Sequence, residues 1–245
     1  MIKKIIIYGL LIFLSYGITY SQNIEGKITF KASMEKAINF VKGKKDKDKK
    51  KKKIRSHINK HAKDVKVILK FNKQIAEYYA LKKMDLTDKK NFNFTHVMAG
   101  GENKYYTYNS IMGYKNENFN CYLLGECFLI ESKLPKWTLK QDTKIIQGFL
   151  CYKAVLKNPR TGKQVLEAWY TPKIPYQYGV MDYFGLPGLI LEINKNTFSI
   201  TAIKVELNPL KKIVIKKPQN IKKVSQKEFK AMTKKAMPDF YKKYK

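Results

Sequence analysis

The sequence has little arginine, little acid and few cysteines, and each shortage excludes a class of protein. Only Arg55 and Arg160 are arginines, so lysine supplies nearly all of the 50 basic residues, against 19 acidic ones. Because reading base edges and binding phosphate in a bidentate manner favour arginine, we do not expect specific binding of nucleic acid. The 3 cysteines are too few for a dense disulfide scaffold.

Motifs that carry catalytic or metal chemistry are missing as well. The chain contains no nucleophile elbow and no phosphate-binding loop. His57 and His61 are spaced to ligate zinc, but Ile58 stands where a metalloprotease carries its glutamate. Three carboxylates could in principle act as a catalytic pair, but they lie in strand patterns with no recognisable acid–base partner. They are Glu131, Glu167 and Glu192. We therefore expect a non-enzymatic protein with no catalytic residues, no metal and no cofactor.

A length of 245 residues with 44% hydrophobic residues is enough for one domain with a packed core. The N-terminus has two lysines, an apolar run over residues 5–18 and small residues before Gln22. This order is typical of a secretory signal peptide, so we expect residues 1–21 to be removed. A retained membrane anchor is the alternative, although the run is short for a full span. We expect residues 22–245 to form a single exported domain, periplasmic or at the cell surface.

The net charge of +31 has its densest part in a basic insert at residues 42–60. Such a block repels itself, so we expect a flexible loop. One interpretation is that the lysine excess is a compositional background. The other is attraction to an anionic envelope surface. The patch that would make this contact consists of Lys49, Lys50, Lys51, Lys52, Lys53 and Arg55.

Alternation of apolar and polar residues predicts an antiparallel β domain of about eight to ten strands. The clearest strand covers residues 65–71, in which residues 65, 67, 69 and 71 share one face and Lys66 and Lys70 lie on the other. We interpret residues 144–156 as one strand of a long hairpin and residues 119–130 as a hairpin with a three-residue loop. In the second hairpin Cys121 and Cys127 lie opposite each other, and export permits a disulfide between them.

A helix is predicted near the C-terminus. Ser225 and Glu228 have the spacing of a capping box, and Val224 and Phe229 are placed as its hydrophobic staple. The helix should therefore begin at about residue 225, and Pro238 should bend or end it.

The most distinctive motif is the run Gly-Leu-Pro-Gly-Leu-Ile at residues 185–190. Proline followed by glycine is typical of a type II turn, so we predict a structural turn at Gly185, Pro187 and Gly188. Its flanks are apolar, where an ordinary surface turn is polar. Either this corner packs against the core, or it forms one wall of a hydrophobic ligand cavity.

The run from Phe184 to Glu192 resembles the hallmark of the GLPGLI family. Further elements match in the expected order at Trp137-Thr138-Leu139, at residues 144–154 and at Ala168-Trp169-Tyr170-Thr171. The chain departs from the family at Gly179-Val180, where the family usually carries Gly-Pro. The resemblance implies an exported or envelope protein of Gram-negative bacteria with no assigned activity. By analogy it also implies a LolA-like incomplete barrel, a fold that wraps a helix and carries lipoproteins or lipids.

These observations predict a mainly β fold of the α+β class, with an antiparallel sheet curled into an open or half barrel and the helix on its concave side. We expect the concave face to bind an apolar or amphiphilic partner such as a lipid, an acyl chain or a lipoprotein segment. The alternatives are a ligand-free structural or interaction module in envelope assembly, and a binder of anionic polymers acting through residues 42–60. The side chains expected to contact the ligand are Trp137, Trp169, Tyr170, Phe184, Leu186, Pro187 and Leu189.

Overall fold

The computed structural model describes residues 23–35, 61–81 and 92–238. Several predictions therefore lie outside the described residues. They are the signal peptide at 1–21, the insert at 42–60 with its anionic-surface patch, and the zinc-ligand role of His57.

The described chain is mainly β, as the alternation predicts, with twelve strands and two helices. The strands are β1 (Gly26–Ser33), β2 (Val65–Phe71), β3 (Ile75–Ala80), β4 (Lys104–Ser110), β5 (Gly113–Asn120), β6 (Phe128–Ser132), β7 (Thr138–Ile146), β8 (Phe149–Lys157), β9 (Gln164–Thr171), β10 (Leu189–Asn194), β11 (Ser199–Leu207) and β12 (Lys222–Ser225). The helices are α1 (Phe94–Met98) and α2 (Gln226–Ala236). One sheet holds all twelve strands in the order β12-β6-β5-β4-β3-β2-β1-β11-β10-β9-β8-β7. Neighbouring strands run antiparallel except β12 and β6, which are parallel.

A short connection shows that this sheet must curl. Strands β6 and β7 lie ten places apart in the order, which in a flat sheet is about 48 Å at the usual strand spacing. Only residues 133–137 connect them, and a chain of that length reaches at most about 20 Å. The sheet therefore bends back on itself until its two sides approach each other. The result is an open, half-barrel-like sheet, since its outer strands β12 and β7 do not pair.

The two faces of the sheet differ in chemistry. Residues that pair across neighbouring strands point to the same side, so the registers define each face. The inner face carries the row Ile28, Leu69, Tyr78, Tyr105, Asn118 and Ile130. The outer face carries the row Lys27, Lys70, Glu77, Tyr106, Glu117 and Glu131. The hydrophobic core lies on the inner face, and that face becomes polar on β5, where Asn118 interrupts the row.

Two hairpins differ from the prediction. Residues 144–156 are not one strand, because Gln147 and Gly148 have φ of 50° and 79° and make the tight turn between β7 and β8. Strand β5 ends at Asn120, whose side-chain oxygen accepts the N–H groups of the next turn over 3.1 and 3.3 Å. The loop between β5 and β6 is therefore longer than the predicted three residues, and a disulfide between Cys121 and Cys127 closes it.

The C-terminal helix begins and ends where the sequence predicts. The capping box is formed in both directions between Ser225 and Glu228, and α2 ends at Ala236, before Pro238. Val224 and Phe229 both belong to a small apolar cluster between α2 and the sheet.

Residues 172–188, between β9 and β10, lie across the inner face, and we call them the plug. The hydroxyl of Tyr178, which is fully buried, lies 3.2 Å from two carbonyl oxygens of the β2–β3 turn. Asn116 of β5 donates to a plug carbonyl over 2.9 Å. Trp137, just before β7, donates from Nε1 to the carbonyl of Phe184 over 2.8 Å. The plug therefore fills the space that the curled sheet encloses.

The turn at Pro187 is tighter than the predicted type II turn. Gly188 donates its N–H to the carbonyl of Leu186 over 2.7 Å, which is the bond of a three-residue turn centred on Pro187. Leu189 donates instead to the carbonyl of Ile174 over 3.0 Å, at the start of the plug. The type II assignment is wrong because Gly188 has φ of 150°, where a type II turn requires about 80°. The N–H of Leu189, which a type II turn would often use, bonds instead to Ile174.

Both glycines of this turn are required by the backbone. Gly185 and Gly188 have φ of 85° and 150°, a region that other residues adopt at a cost. A Cβ at Gly188 would lie 2.2 Å from the carbonyl oxygen of Thr171, and one at Gly185 would lie 2.5 Å from Leu134. The turn therefore sits against β9 with no room for a side chain at Gly188.

We predict that Gly188→Ala lowers the free energy of unfolding by about 3 kcal/mol, because it combines backbone strain with a clash against β9. The matched control is Gly162→Ala, where φ is also positive at 66° but no atom lies within 4 Å of the added Cβ. That control should cost about 1 kcal/mol, from backbone strain alone. Urea unfolding of the two variants measures both values. Equal losses would contradict the packing of the turn against β9.

Candidate functional site

The structure does not bring the predicted ligand-contacting side chains onto one surface. Phe184, Leu186 and Leu189 are buried in the core. Pro187 is exposed, and Trp137 is half-buried beside the plug. A ligand could reach the three core side chains only if the plug left the inner face.

Trp169 and Tyr170 are consecutive residues of β9, so they point to opposite faces of the sheet. Trp169 pairs across the outer face with Glu192 on one side and Lys153 on the other. The ammonium of Lys144 lies 4.3 Å from the centre of its ring, a cation–π distance. The expectation that Trp169 and Tyr170 line the same concave surface is therefore wrong.

The carboxylates on either side of Trp169 belong to ion pairs. Glu192 lies 2.6 Å from Lys144, and Glu167 lies 3.4 Å from Lys153. Burial alone would raise the pKa of Glu167, but the hydrogen bond from Trp169 and the charge of Lys153 lower it below its ordinary value. Such a network stabilises a sheet surface, and a carboxyl with a lowered pKa is not suited to be a general acid.

Cys151 is buried, and burial raises the pKa of its thiol to about 11. The thiol is therefore protonated at neutral pH and is a poor nucleophile. Within the described ranges, no three His, Cys, Asp or Glu side chains come close enough to hold a metal ion. No helix in the same ranges is long and apolar enough to cross a membrane.

Open space remains where α2 lies on the inner face. An open cavity of about 300 Å³ lies between α2, strands β5 and β6, and the plug, and we call it the α2 cavity. Its lining residues are Asn118, Asn120, Leu123, Ile130, Ser132, Asp182, Gln226, Phe229, Lys230 and Thr233. None of the predicted ligand-contacting residues is among them.

One side of the α2 cavity is apolar. Phe128, Ile130 and Val224 form a small buried cluster at this edge of the sheet, and Phe229 and Met232 of α2 pack against it. The rings of Phe128 and Phe229 meet edge to face, with centroids 5.5 Å apart. This contact holds α2 on the sheet and gives the cavity its hydrophobic wall.

The part of the lining next to this wall, which we call the polar floor, presents hydrogen-bond acceptors. Ser132 donates from Oγ to the carboxylate of Asp182 over 2.5 Å. Burial raises the pKa of Asp182, and the bond from Ser132 and the charge of Lys195 offset part of this effect. The side-chain oxygen of Asn118, which lines the cavity, is buried with no hydrogen-bond partner among the described residues. That of Asn116, two residues earlier on β5, is also buried without a partner there but does not line the cavity. Because an unpaired buried acceptor is costly, the floor favours a group that donates hydrogen bonds.

The polar floor has a sequence signal that hydrophobicity alone does not reveal. Asn116, Asn118 and Asn120 occupy alternate positions of β5, so they share one face. The neighbouring strands present Tyr105 and Ile130 at the matching positions of that face. A run of amides where neighbouring strands carry apolar or aromatic residues indicates a polar site on the inner face.

Comparison with protein families gives a match to part of the chain. A family model described as a protein of unknown function (Porph_ging) matches residues 160–192, a stretch that covers β9, the plug and the start of β10. That domain is typical of envelope proteins of the Bacteroidetes. The stretch contains the hexapeptide and is compatible with the GLPGLI resemblance. No curated protein matches the chain.

Solved structures share the fold at low sequence identity. Two structures of PNGF-II, in space groups C2 and P21, superpose with TM-scores of 0.50 and 0.53 at 16% identity. Each covers 86% of this chain but 32% or 33% of PNGF-II. The chain thus spans about a third of those proteins, and the similarity concerns the fold alone.

A putative outer membrane lipoprotein-sorting protein domain from Vibrio parahaemolyticus also overlaps, with a TM-score of 0.28 at 6% identity. The overlap covers 77% of this chain and 87% of that one. At this TM-score it carries no argument about fold or function.

We predict that Asp182→Asn stabilises the protein near neutral pH. Because burial raises the pKa of Asp182 above its value in the unfolded chain, the folded state binds this proton more tightly. Stability from this group is therefore lost as the pH rises from about 4 through the raised pKa. The asparagine variant avoids that loss, so its advantage should grow between acidic and neutral pH.

Urea unfolding as a function of pH measures this difference. The matched control is Asp142→Asn, at an exposed position of β7. A constant difference between the Asp182 variant and the parent across the pH range would contradict the burial of an ionised carboxylate at the floor of the α2 cavity.

Proposed function

We propose that the chain is an exported, non-enzymatic protein of the bacterial envelope that belongs with the GLPGLI proteins and binds an amphiphilic molecule in the α2 cavity. The ligand class is a lipid, an acyl chain or a lipoprotein segment that carries a hydrogen-bond donor. The observation that carries the proposal is a cavity of about 300 Å³ with an apolar wall and an unpaired acceptor on its floor.

The contrast between wall and floor supports an amphiphilic ligand. An apolar stem against Phe229 and Ile130 would bury hydrophobic surface. A hydroxyl or amide at the other end would satisfy Asn118 and reach the carboxylate of Asp182. A purely apolar ligand would leave Asn118 without a hydrogen-bond partner, and a purely polar ligand would leave the apolar wall in contact with water.

Helix α2 suits the role of a movable cover. Its described apolar partners are confined to one small cluster at the edge of the sheet, apart from the main core. The floor beneath it is polar, so little hydrophobic free energy is lost when the helix lifts there. A helix over the concave side of an open sheet is also the arrangement of the LolA-like carriers, and this analogy supports the class of ligand.

The ligand-free alternative, an interaction module, has less support from the sheet edges. Strand β7 is an edge of the described sheet, but its register with β8 shifts between Leu139 and Thr143. Lys140 and Lys144 also lie on this strand. Bulges and lysines on an edge hinder the addition of another strand.

Dodecyl maltoside below its micelle-forming concentration is a suitable probe, because it has an apolar stem and uncharged hydroxyl donors. We expect saturable binding by isothermal titration calorimetry. Asn118→Leu should weaken binding about tenfold and raise the free energy of unfolding by about 1 kcal/mol, since it removes an unpaired buried acceptor.

Asn109→Leu is the matched control, at an exposed position of the neighbouring strand β4. It should leave probe binding unchanged. Failure of the parent protein to bind the probe would overturn the proposed function. Equal binding by the parent and by Asn118→Leu would instead show that the polar floor does not take part in ligand binding.

A further inference from the structure

The tip of the β4–β5 hairpin is apolar and fully solvent-exposed. Ile111 and Met112 form the tip, with relative exposures of 106% and 89%. Ser110 donates from Oγ to the carbonyl of Gly113 over 2.7 Å, which fixes the tip at its base. A two-residue hairpin tip ordinarily carries Gly, Asn or Asp, so this pair of large aliphatic side chains is unusual.

The connection from β11 to β12 presents further exposed aliphatic side chains. Leu210 and Val214 have relative exposures of 110% and 69%. The segment is fixed beside β1 and β2, because Ile213 donates to the carboxylate of Glu25 over 3.3 Å and its carbonyl accepts from Asn72 over 3.3 Å. Its exposed side chains are therefore presented by an anchored backbone.

The hairpin tip and this connection lie at the same end of the sheet. Gly26, at the start of β1, pairs with Phe71 and Leu207, the ends of β2 and β11. Ile75, at the start of β3, pairs with Tyr108, next to the tip. The connection also reaches the hairpin, since the ammonium of Lys217 lies 4.2 Å from the centre of the Tyr108 ring.

We call this surface the rim. It consists of the four exposed aliphatic residues and the exposed lysines around them, namely Ile111, Met112, Leu210, Val214, Lys73, Lys211, Lys212 and Lys216. No ion pair of these lysines occurs among the described residues. Three acidic side chains lie at this end of the sheet: Glu117 pairs with Lys217 and Lys223, Glu206 pairs with Lys204, and Glu25 accepts the N–H of Ile213. The rim therefore combines an excess of positive charge with exposed aliphatic side chains.

We propose that the rim docks the protein on the surface of an anionic lipid bilayer. Lysines attract anionic head groups, and aliphatic side chains enter the boundary between head groups and acyl chains. A soluble polyanion would need the lysines alone, whereas the bilayer uses both kinds of residue. This surface is distinct from the basic insert at 42–60 and independent of the proposed ligand site.

Docking by the rim leaves the α2 cavity open. Leu123, at the cavity, belongs to the loop between β5 and β6. In an antiparallel meander that loop lies at the end of the sheet opposite the β4–β5 tip. The docked protein would therefore present the cavity away from the bilayer surface.

The test is co-sedimentation of the mature chain with vesicles of phosphatidylcholine alone or mixed with phosphatidylglycerol. We expect binding to the mixed vesicles. The pair Lys211→Gln and Lys212→Gln should weaken it about fivefold for each lysine removed. The pair Ile111→Ser and Met112→Ser should weaken it by about tenfold with the net charge unchanged.

The control pair is Lys163→Gln and Val165→Ser, exposed positions of the β8–β9 hairpin at the other end of the sheet, and it should retain most of the binding. All variants keep the basic insert, so its contribution is constant, and circular dichroism checks that each variant folds.

Loss of binding in the lysine variant with full binding in the Ile111 and Met112 variant would overturn the proposal in favour of plain polyanion attraction. Equal binding by every variant would also overturn it.

Discussion

The short connection between β6 and β7 constrains the whole molecule. Five residues cannot cross a flat sheet from one side to the other, so the sheet encloses an interior that must be filled. Residues 172–188 fill it, and the hydrogen bond from Trp137 to Phe184 ties the connection to the plug. The plug returns to β10 directly against β9, so the turn at Gly188 has no room for a side chain.

Because the plug fills most of the enclosed interior, it determines where on the inner face a ligand can bind. The hexapeptide is apolar because its leucines belong to the core, so its hydrophobicity reflects packing. The space that packing leaves open lies under α2, where the inner face changes from apolar residues to amides. The chemistry of that space, with acceptors on one side and Phe229 on the other, is what points to an amphiphilic ligand. Binding and stability therefore depend on different parts of the same face.

Local patterns predict the local structure well. The alternation in β2 and the capping box at Ser225 depend on neighbours in the sequence, and both are present. The β7–β8 hairpin was missed because Ile145-Ile146 and Phe149-Leu150 form one apolar run that hides the turn at Gln147-Gly148. The position of the plug has no local signal, since Tyr178 bonds to the β2–β3 turn 106 residues away. The floor of the cavity was missed because the predicted hairpin began at residue 119, so Asn116 and Asn118 of β5 lay outside any predicted strand.

Native-state hydrogen exchange tests most directly whether the plug is core and α2 is the movable part. The N–H groups of Gly185, Leu189 and Ile190 are bonded within the plug and to its carbonyls. They should exchange only through global unfolding, while those of α2 exchange faster through local opening. If the plug N–H groups instead exchanged as fast as those of α2, the plug would itself leave the sheet. The enclosed interior would then be the binding space, which would contradict this account.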